Sequence, residues 1–340
     1  MLLLLAATTL SAQTILKGDM NNDNEVTIAD VTSVVNVVLG KSPMETINVG
    51  GSPYSVDNAS VVGTWYAPDG TSFKFNEDGT TTFPGGDTYE FMPTQGRLLI
   101  YDANEHPIKV LPLLKVESWY LLTVDYATNV FTCYTNLDPD TYVDLGLPSG
   151  TVWATCNVGA SSPEEYGDYF AWGETTGYTD GKTTFGWSTY KWCKGSETTI
   201  TKYCTNSSYG NEGFTDNKTK LDLEDDAAYA NLGPAWRMPS MKQFDELINS
   251  DYTETMWTTQ NGKDGLKITS KSNGKSIFLP AAGCYEGSSN STIVSYYLSR
   301  SLELEDEPNK VGALLFDNGY SIVVNYSRCN GYPVRPVRSK

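Results

Sequence analysis

Between residues 61 and 136 the chain is cut into short alternating apolar and polar runs by turn dipeptides, and this limits its fold more than any other feature. Phe73 and Phe75 alternate with Ser72 and Lys74, the period of two that a half-buried strand needs. Asp69-Gly70 and Asp78-Gly79 are hairpin signals, because the positive φ of such turns suits glycine. Further runs follow at Tyr89-Glu90-Phe91, Leu98-Leu99-Ile100, 119–124 and 130–134. A meander of this kind leaves two unpaired edges unless it closes, so a small barrel over 61–136 is expected. At this length its own side chains can fill it.

Charge removes several function classes. Lys+Arg 24 against Asp+Glu 41 leaves a net charge of −17, which opposes binding to phosphate backbones and to anionic lipid. The chain has one histidine, His106, in the turn Asn104-Glu105-His106-Pro107. It reads as a surface residue, and with no second histidine a two-His metal site cannot form. No phosphate-cradling glycine loop or zinc spacing is present. Glu164, Glu165, Asp168 and Glu174 form the densest acidic group beside aromatics and read as solvated loop charge. The chain is therefore expected not to be an enzyme.

The first ten residues, MLLLLAATTL, followed by Ser11-Ala12-Gln13, read as a secretory leader over 1–12 cleaved after Ala12. The run is too short to span a bilayer, and no later segment holds about 18 uninterrupted apolar residues. A secreted or cell-surface protein without a membrane span is expected. Six cysteines (133, 156, 193, 204, 284 and 329) suit an oxidising compartment and allow 15 pairings. Cys193 with Cys204 and Cys284 with Cys329 are the candidate disulfides, and buried free thiols are the alternative.

Residues 18–40 read GDMNNDNEVTIADVTSVVNVVLG. With Asp19 as position 1, Asn21, Asp23, Glu25, Thr27 and Asp30 fall at positions 3, 5, 7, 9 and 12, an alternation of hard oxygen ligands suited to Ca²⁺. Ile28, Val31, Val35, Val38 and Leu39 then share one helix face, and Gly40 is placed to stop it. Over 17–41 the sequence resembles one repeat of a type I dockerin, which implies Ca²⁺ as cofactor and a cohesin-like partner. The family's partner-contacting positions fall on Ile28 and Ala29, which are apolar here.

Residues 48–60, rich in Gly, Ser and Pro, read as a linker. Gly63-Thr64-Trp65 at the head of the following meander resembles the G-x-W of lipocalin-like barrels. From Tyr142 the chain reads YVDLGLPSGTVWATCNVGASSPEEYGDYFAWGE. Later come Trp236-Arg237-Met238-Pro239-Ser240, Phe278-Leu279-Pro280-Ala281-Ala282-Gly283 and Pro333-Val334-Arg335-Pro336-Val337-Arg338. In this order the blocks resemble the Fibrobacter succinogenes major paralogous domain over 141–340. The resemblance implies a C-type-lectin-like α+β fold on a surface or secreted protein of Gram-negative, Bacteroidetes type, and no settled activity.

The residues carry their own signals. Ser240 and Gln243 form a capping box ahead of the apolar face Phe244, Leu247 and Ile248. Asp222 reads as the start of a helix reaching Asn231, its charge favoured by the helix dipole. A Ca²⁺ site of Asp222, Glu224, Asp225 and Asp226 is the weaker alternative. Trp153 and Trp236 sit in apolar blocks and read as core. Trp187, Tyr190 and Trp192 lie in a polar stretch and are the candidates for a surface that stacks on sugar. The expectation is a multidomain, mainly β (α+β) protein that binds rather than transforms, with a glycan or an extracellular or cell-envelope protein as partner. The alternatives are a polysaccharide-degrading enzyme, or its accessory subunit, recruited through the dockerin-like segment, and a structural surface protein.

Overall fold

A computed structural model of the chain describes residues 60–117, 120–125, 128, 130–292, 294–302 and 306–339. Residues 1–12, read as a leader, the dockerin-like 17–41 and all of the expected linker 48–60 but Ser60 lie outside the described residues. The protein is mainly β, with 40% strand and 9% helix.

The meander forms a seven-stranded sheet of β1 (Gly63–Tyr66), β2 (Ser72–Phe75), β3 (Thr88–Met92), β4 (Arg97–Tyr101), β5 (Pro107–Val116), β6 (Tyr120–Asp125) and β7 (Val130–Thr135). Neighbouring strands pair antiparallel, in the order β2-β1-β7-β6-β5-β4-β3. The segment between β2 and β3 draws the two edges together: Thr81 bridges Phe75 of β2 and Thr80 bridges Thr88 of β3. The sheet is thereby nearly closed into a barrel. The alternation in β2 sends Phe73 and Phe75 inward and leaves Ser72 and Lys74 exposed. Trp65, Phe73, Phe75, Leu98, Ile100, Leu113 and Leu121 pack together, a core built from the barrel's own side chains. Trp65 satisfies its buried indole N–H on the Val61 carbonyl at 2.7 Å.

The rest of the chain opens with β8 (Tyr142–Asp144) and β9 (Thr151–Ala154) and runs through long irregular loops to two short helices, α1 (Ala227–Leu232) and α2 (Met241–Leu247). Three antiparallel sheets follow. They are β10 (Thr253–Gln260), β11 (Lys263–Ser270) and β12 (Ser276–Pro280); β13 (Cys284–Glu286) and β14 (Ser289–Ser291); and β15 (Ser295–Leu298), β16 (Lys310–Phe316) and β17 (Ser321–Ser327). The last strand, β18 (Val337–Ser339), lies beside β9, so the end of the chain joins the first sheet of this region.

The helix α2 starts as its sequence requires. Ser240 and Gln243 form the reciprocal capping box, and Phe244 and Leu247 are fully buried with Trp153, Ile268, Tyr297 and Phe316. The start of α1 differs from expectation. A 3₁₀ turn, Leu223–Asp225, precedes it, and the N-cap is Asp226 rather than Asp222. The Asp226 carboxylate accepts from the Ala228 and Tyr229 amides at 2.9 and 3.0 Å, while Asp222 is drawn aside to Lys202 and Lys218.

Two arginines are fully buried, and each makes three of its hydrogen bonds to backbone carbonyls. Arg335 joins Ala154, Thr155 and Phe278 oxygens and Asn157. Arg328 donates to the Lys202, Tyr203 and Pro308 carbonyls and lies over the Trp172 ring, 4.8 Å from its centroid. The Arg328 fork ties loops that have no ladder of their own, and the Arg335 fork joins the end of β9 to β12. Close approach of backbone has a second device at Gly283, φ 71°, where any Cβ would collide with the Ser291 carbonyl. No helix among the described residues is long and apolar enough to cross a membrane.

Candidate functional site

Two hairpin tips and a loop enclose a groove of about 590 Å³. The first tip is Asn261-Gly262, between β10 and β11, where Gln260 faces Lys263. Both central residues have positive φ, 46° and 79°, which a tight two-residue turn demands and Asn-Gly tolerates. The turn delivers Lys263 and Asp264 to the groove. The second tip joins β16 and β17. There Asp317 Oδ1 accepts from the Gly319 amide at 2.6 Å and the Tyr320 amide at 3.2 Å, a turn closed by its own side chain.

Aromatic rings lie along the same groove. Trp257 of β10 is anchored edge-on to Phe316 at 6.5 Å. Tyr320 is 54% exposed at the second tip. Tyr166 comes from the loop after β9, and the Lys263 ammonium lies 4.7 Å from the centre of its ring. Asp264 accepts from the Thr259 hydroxyl through Oδ1.

Glu164 holds the first tip in place. Its carboxylate accepts from the Asn261 side-chain amide at 2.8 Å and from Gln260 at 3.4 Å. The Asn261 hydrogen bond, foremost, lowers its pKa below the usual glutamate value. The arrangement presents rings, carboxylate acceptors and an ammonium donor on tips fixed by turn geometry. That combination suits a ligand with apolar C–H faces and many hydroxyls.

The aromatics singled out from the sequence lie elsewhere and are largely committed. Tyr190 is 3% exposed; its hydroxyl donates to the Trp172 carbonyl at 2.7 Å and accepts from Arg328 Nε at 2.7 Å. It is a core residue, which corrects its reading as a surface ring. Trp192 is half-buried, donates to the Gly173 carbonyl at 2.7 Å, and has the Lys191 and Lys202 ammoniums 4.1 and 4.9 Å from its ring centre. Trp187 is half-buried and meets Tyr190 edge-on at 5.7 Å. The pull of Arg328 and the lysines on these rings is invisible in a stretch that is locally polar. Trp257, Tyr166 and Tyr320 were not singled out from the sequence. The signals that could have found them are the Asn261-Gly262 and Asp317-Asn318-Gly319 turns, which flag hairpin tips beside an aromatic.

The acidic groups are likewise put to structural use. Asp168 is buried and accepts from the Tyr169 and Thr179 amides at 2.8 and 3.0 Å and from the Thr179 hydroxyl at 2.6 Å. Glu174 is buried and paired with Lys182, and Glu165 caps Ser161. Asp168 and Glu174 are thus not solvated loop charges, because each is buried and accepts from backbone amides that would otherwise be unpaired, whereas Glu165 stays exposed in its loop. Asp222, Glu224 and Asp225 place ligand atoms within 4.8 Å of one another, a spacing fit for a cation. Lys202 supplies that cation from within the chain: its ammonium lies 2.7 Å from Asp222, 2.6 Å from Asp225 and 3.8 Å from Glu224.

All six cysteines are free thiols, so neither Cys193–Cys204 nor Cys284–Cys329 is joined in the structure. Cys193 turns its sulfur to the Trp187 carbonyl, 3.0 Å away, and Cys204 to the Asn206 carbonyl, 3.1 Å away. Burial pushes the Cys133 and Cys284 thiols up to about 11. His106 is exposed in its turn, with Nδ1 3.6 Å from Asp102. The six residues of the Ca²⁺ loop, Asp19, Asn21, Asp23, Glu25, Thr27 and Asp30, lie outside the described residues. Compared with known proteins, the chain matches no family model, no curated protein and no solved structure.

Proposed function

We propose that this protein is an exported, non-catalytic recognition protein that holds a glycan in the groove between its two hairpin tips. The observation that supports this is the convergence of Trp257, Tyr166 and Tyr320 with Lys263, Asp264 and Asp317 on turn-fixed elements. Sugar rings offer C–H faces to aromatics and hydroxyls to carboxylates, so binding needs no covalent chemistry. In this reading residues 141–340 are a C-type-lectin-like domain of the Fibrobacter succinogenes major paralogous kind, and 61–136 a lipocalin-like barrel. The dockerin-like segment binds Ca²⁺ and attaches the chain to a cohesin-like or envelope protein at the surface of a Bacteroidetes-type cell.

A glycan array probed with the full chain tests the reading. Binding to a glycan class, lost in Trp257→Ala, is the expected result; an array blank at every spot overturns it. A polysaccharide-degrading enzyme is the second reading, favoured by two carboxylates, Asp264 and Asp317, lining one groove. Reducing-sugar release that disappears in Asp264→Asn would establish that reading instead. For the front segment, calorimetry should give heat with Ca²⁺ that vanishes in Asp19→Ala.

A further inference from the structure

We infer that the groove selects neutral, hydroxyl-rich glycans and rejects uronate and sulfated ones, an inference that rests on the glycan reading above. Two carboxylates of the groove have unspent hydrogen-bonding capacity. Oδ1 of Asp264 is taken by Thr259, and Oδ1 of Asp317 by the Gly319 and Tyr320 amides. Among the described residues neither Oδ2 has a protein donor. An ionised carboxylate accepts only, so each free oxygen asks for a hydroxyl or amide donor from the ligand. Neutral sugars supply several such donors on one ring. A uronate carboxylate or a sulfate ester supplies none and adds a like charge beside two aspartates.

Among the described residues one cation lines the groove, Lys263, and its charge is shared with the Tyr166 ring and set next to Asp264 in the chain. It can donate to a ring or glycosidic oxygen, but it does not outweigh two carboxylates. The wider field points the same way. The whole chain carries −17, so a polyanionic glycan approaches against repulsion that reaches about 8 Å at physiological ionic strength. Orientation follows from the rings: the apolar face of a pyranose lies against Trp257 and Tyr320, and its hydroxyl edge turns to Asp264 and Asp317.

The test is titration of the full chain with neutral gluco-, manno- and xylo-oligosaccharides and with oligogalacturonate and a sulfated galactan. Each is run at about 20 mM and about 150 mM NaCl, either side of the screening change. Neutral ligands should bind with a Kd that moves less than about twofold between the two salts, and acidic ones at least about tenfold more weakly. Tyr320→Ala, at an exposed tip where folding is not at stake, should weaken the neutral ligand about tenfold by removing one stacking ring. Asp264→Asn with Asp317→Asn should narrow the gap between neutral and acidic ligands. An acidic glycan bound as tightly as a neutral one, or more tightly at low salt, overturns this inference and leaves the glycan reading standing. No binding to any member of the panel overturns the glycan reading and this inference with it.

Discussion

Replacing Lys202 by Met tests how an internal ammonium holds the loops of the C-terminal region together. The Lys202 side chain lies against the Trp192 and Tyr203 rings and ends between Asp222 and Asp225. Methionine keeps most of the stem and removes the charge. Asp225, with a side chain 3% exposed, then keeps only the Tyr203 hydroxyl at 2.7 Å and the more distant Lys191 at 3.4 Å. Breaking a buried pair by deleting one partner costs about 3–5 kcal/mol. Asp222 is 28% exposed and keeps Lys218, so its share is at most about 1 kcal/mol.

With Lys191 free to move closer to Asp225, the net loss should be about 2–3 kcal/mol. For a unit of this size that lowers Tm by about 5–10 °C. Urea unfolding should show a lower midpoint with an unchanged slope. Lys202→Met with Asp225→Asn should recover much of the loss, since the stranded charge is gone. Calcium gives an independent readout. With the ammonium removed, Asp222, Glu224 and Asp225 become available to a cation, and Ca²⁺ should raise the Tm of Lys202→Met more than that of the native chain. A loss under about 0.5 kcal/mol, in the range of an ordinary surface substitution, would refute the reasoning.

The pH dependence of the cluster has a definite sign. Burial opposes the charge on Lys202, but the hydrogen bonds to Asp222 and Asp225 outweigh it and hold its pKa well above the ordinary value. That contribution is fully present below the unfolded lysine pKa and is lost only as pH rises through the raised one. Burial likewise opposes the Asp222 charge, but Lys202 and Lys218 outweigh it and lower its pKa. That part is present above the unfolded aspartate pKa and is lost as pH falls through the lowered one.

Three further outcomes are expected. Phe75→Ala, which empties a fully buried site between Phe73 and Tyr89, should destabilise the barrel by about 3–5 kcal/mol, read by denaturant unfolding. The Glu164 carboxylate is ionised more readily than usual, so its hold on the Asn261-Gly262 tip is complete above the ordinary glutamate pKa of about 4.3 and fades as pH falls through its lowered value. Amide exchange at Gly262 and Lys263 should be insensitive to this group near neutrality and rise in acid, and Glu164→Gln should remove that acid limb. Thiol titration of the unfolded chain without reductant should return six thiols, whereas in the folded chain Cys133 and Cys284 should react slowly near neutral pH, because burial raises both to about 11. A count below six would establish pairing that the structure lacks.

The sequence by itself determined the features that depend on neighbours a few positions away. The period of two at Ser72-Phe73-Lys74-Phe75 yields a strand with its phenylalanines inside. The Ser240–Gln243 box starts a helix, and Phe244 and Leu247 enter the core, because cap geometry and the 3.6 period are local properties. The tertiary structure decided what depends on residues far apart. Lys202 lies about twenty positions before Asp222 and takes up its carboxylate, while Asp226 caps the start of α1. Arg328 reaches back across 138 positions to Tyr190 and draws that ring into the core. The groove gathers Tyr166, Trp257, Lys263, Asp264, Asp317 and Tyr320 from four segments. Whether an aromatic ring faces water is settled by what packs over it, and a covering group contributed from a remote segment leaves no mark in the local pattern of residues.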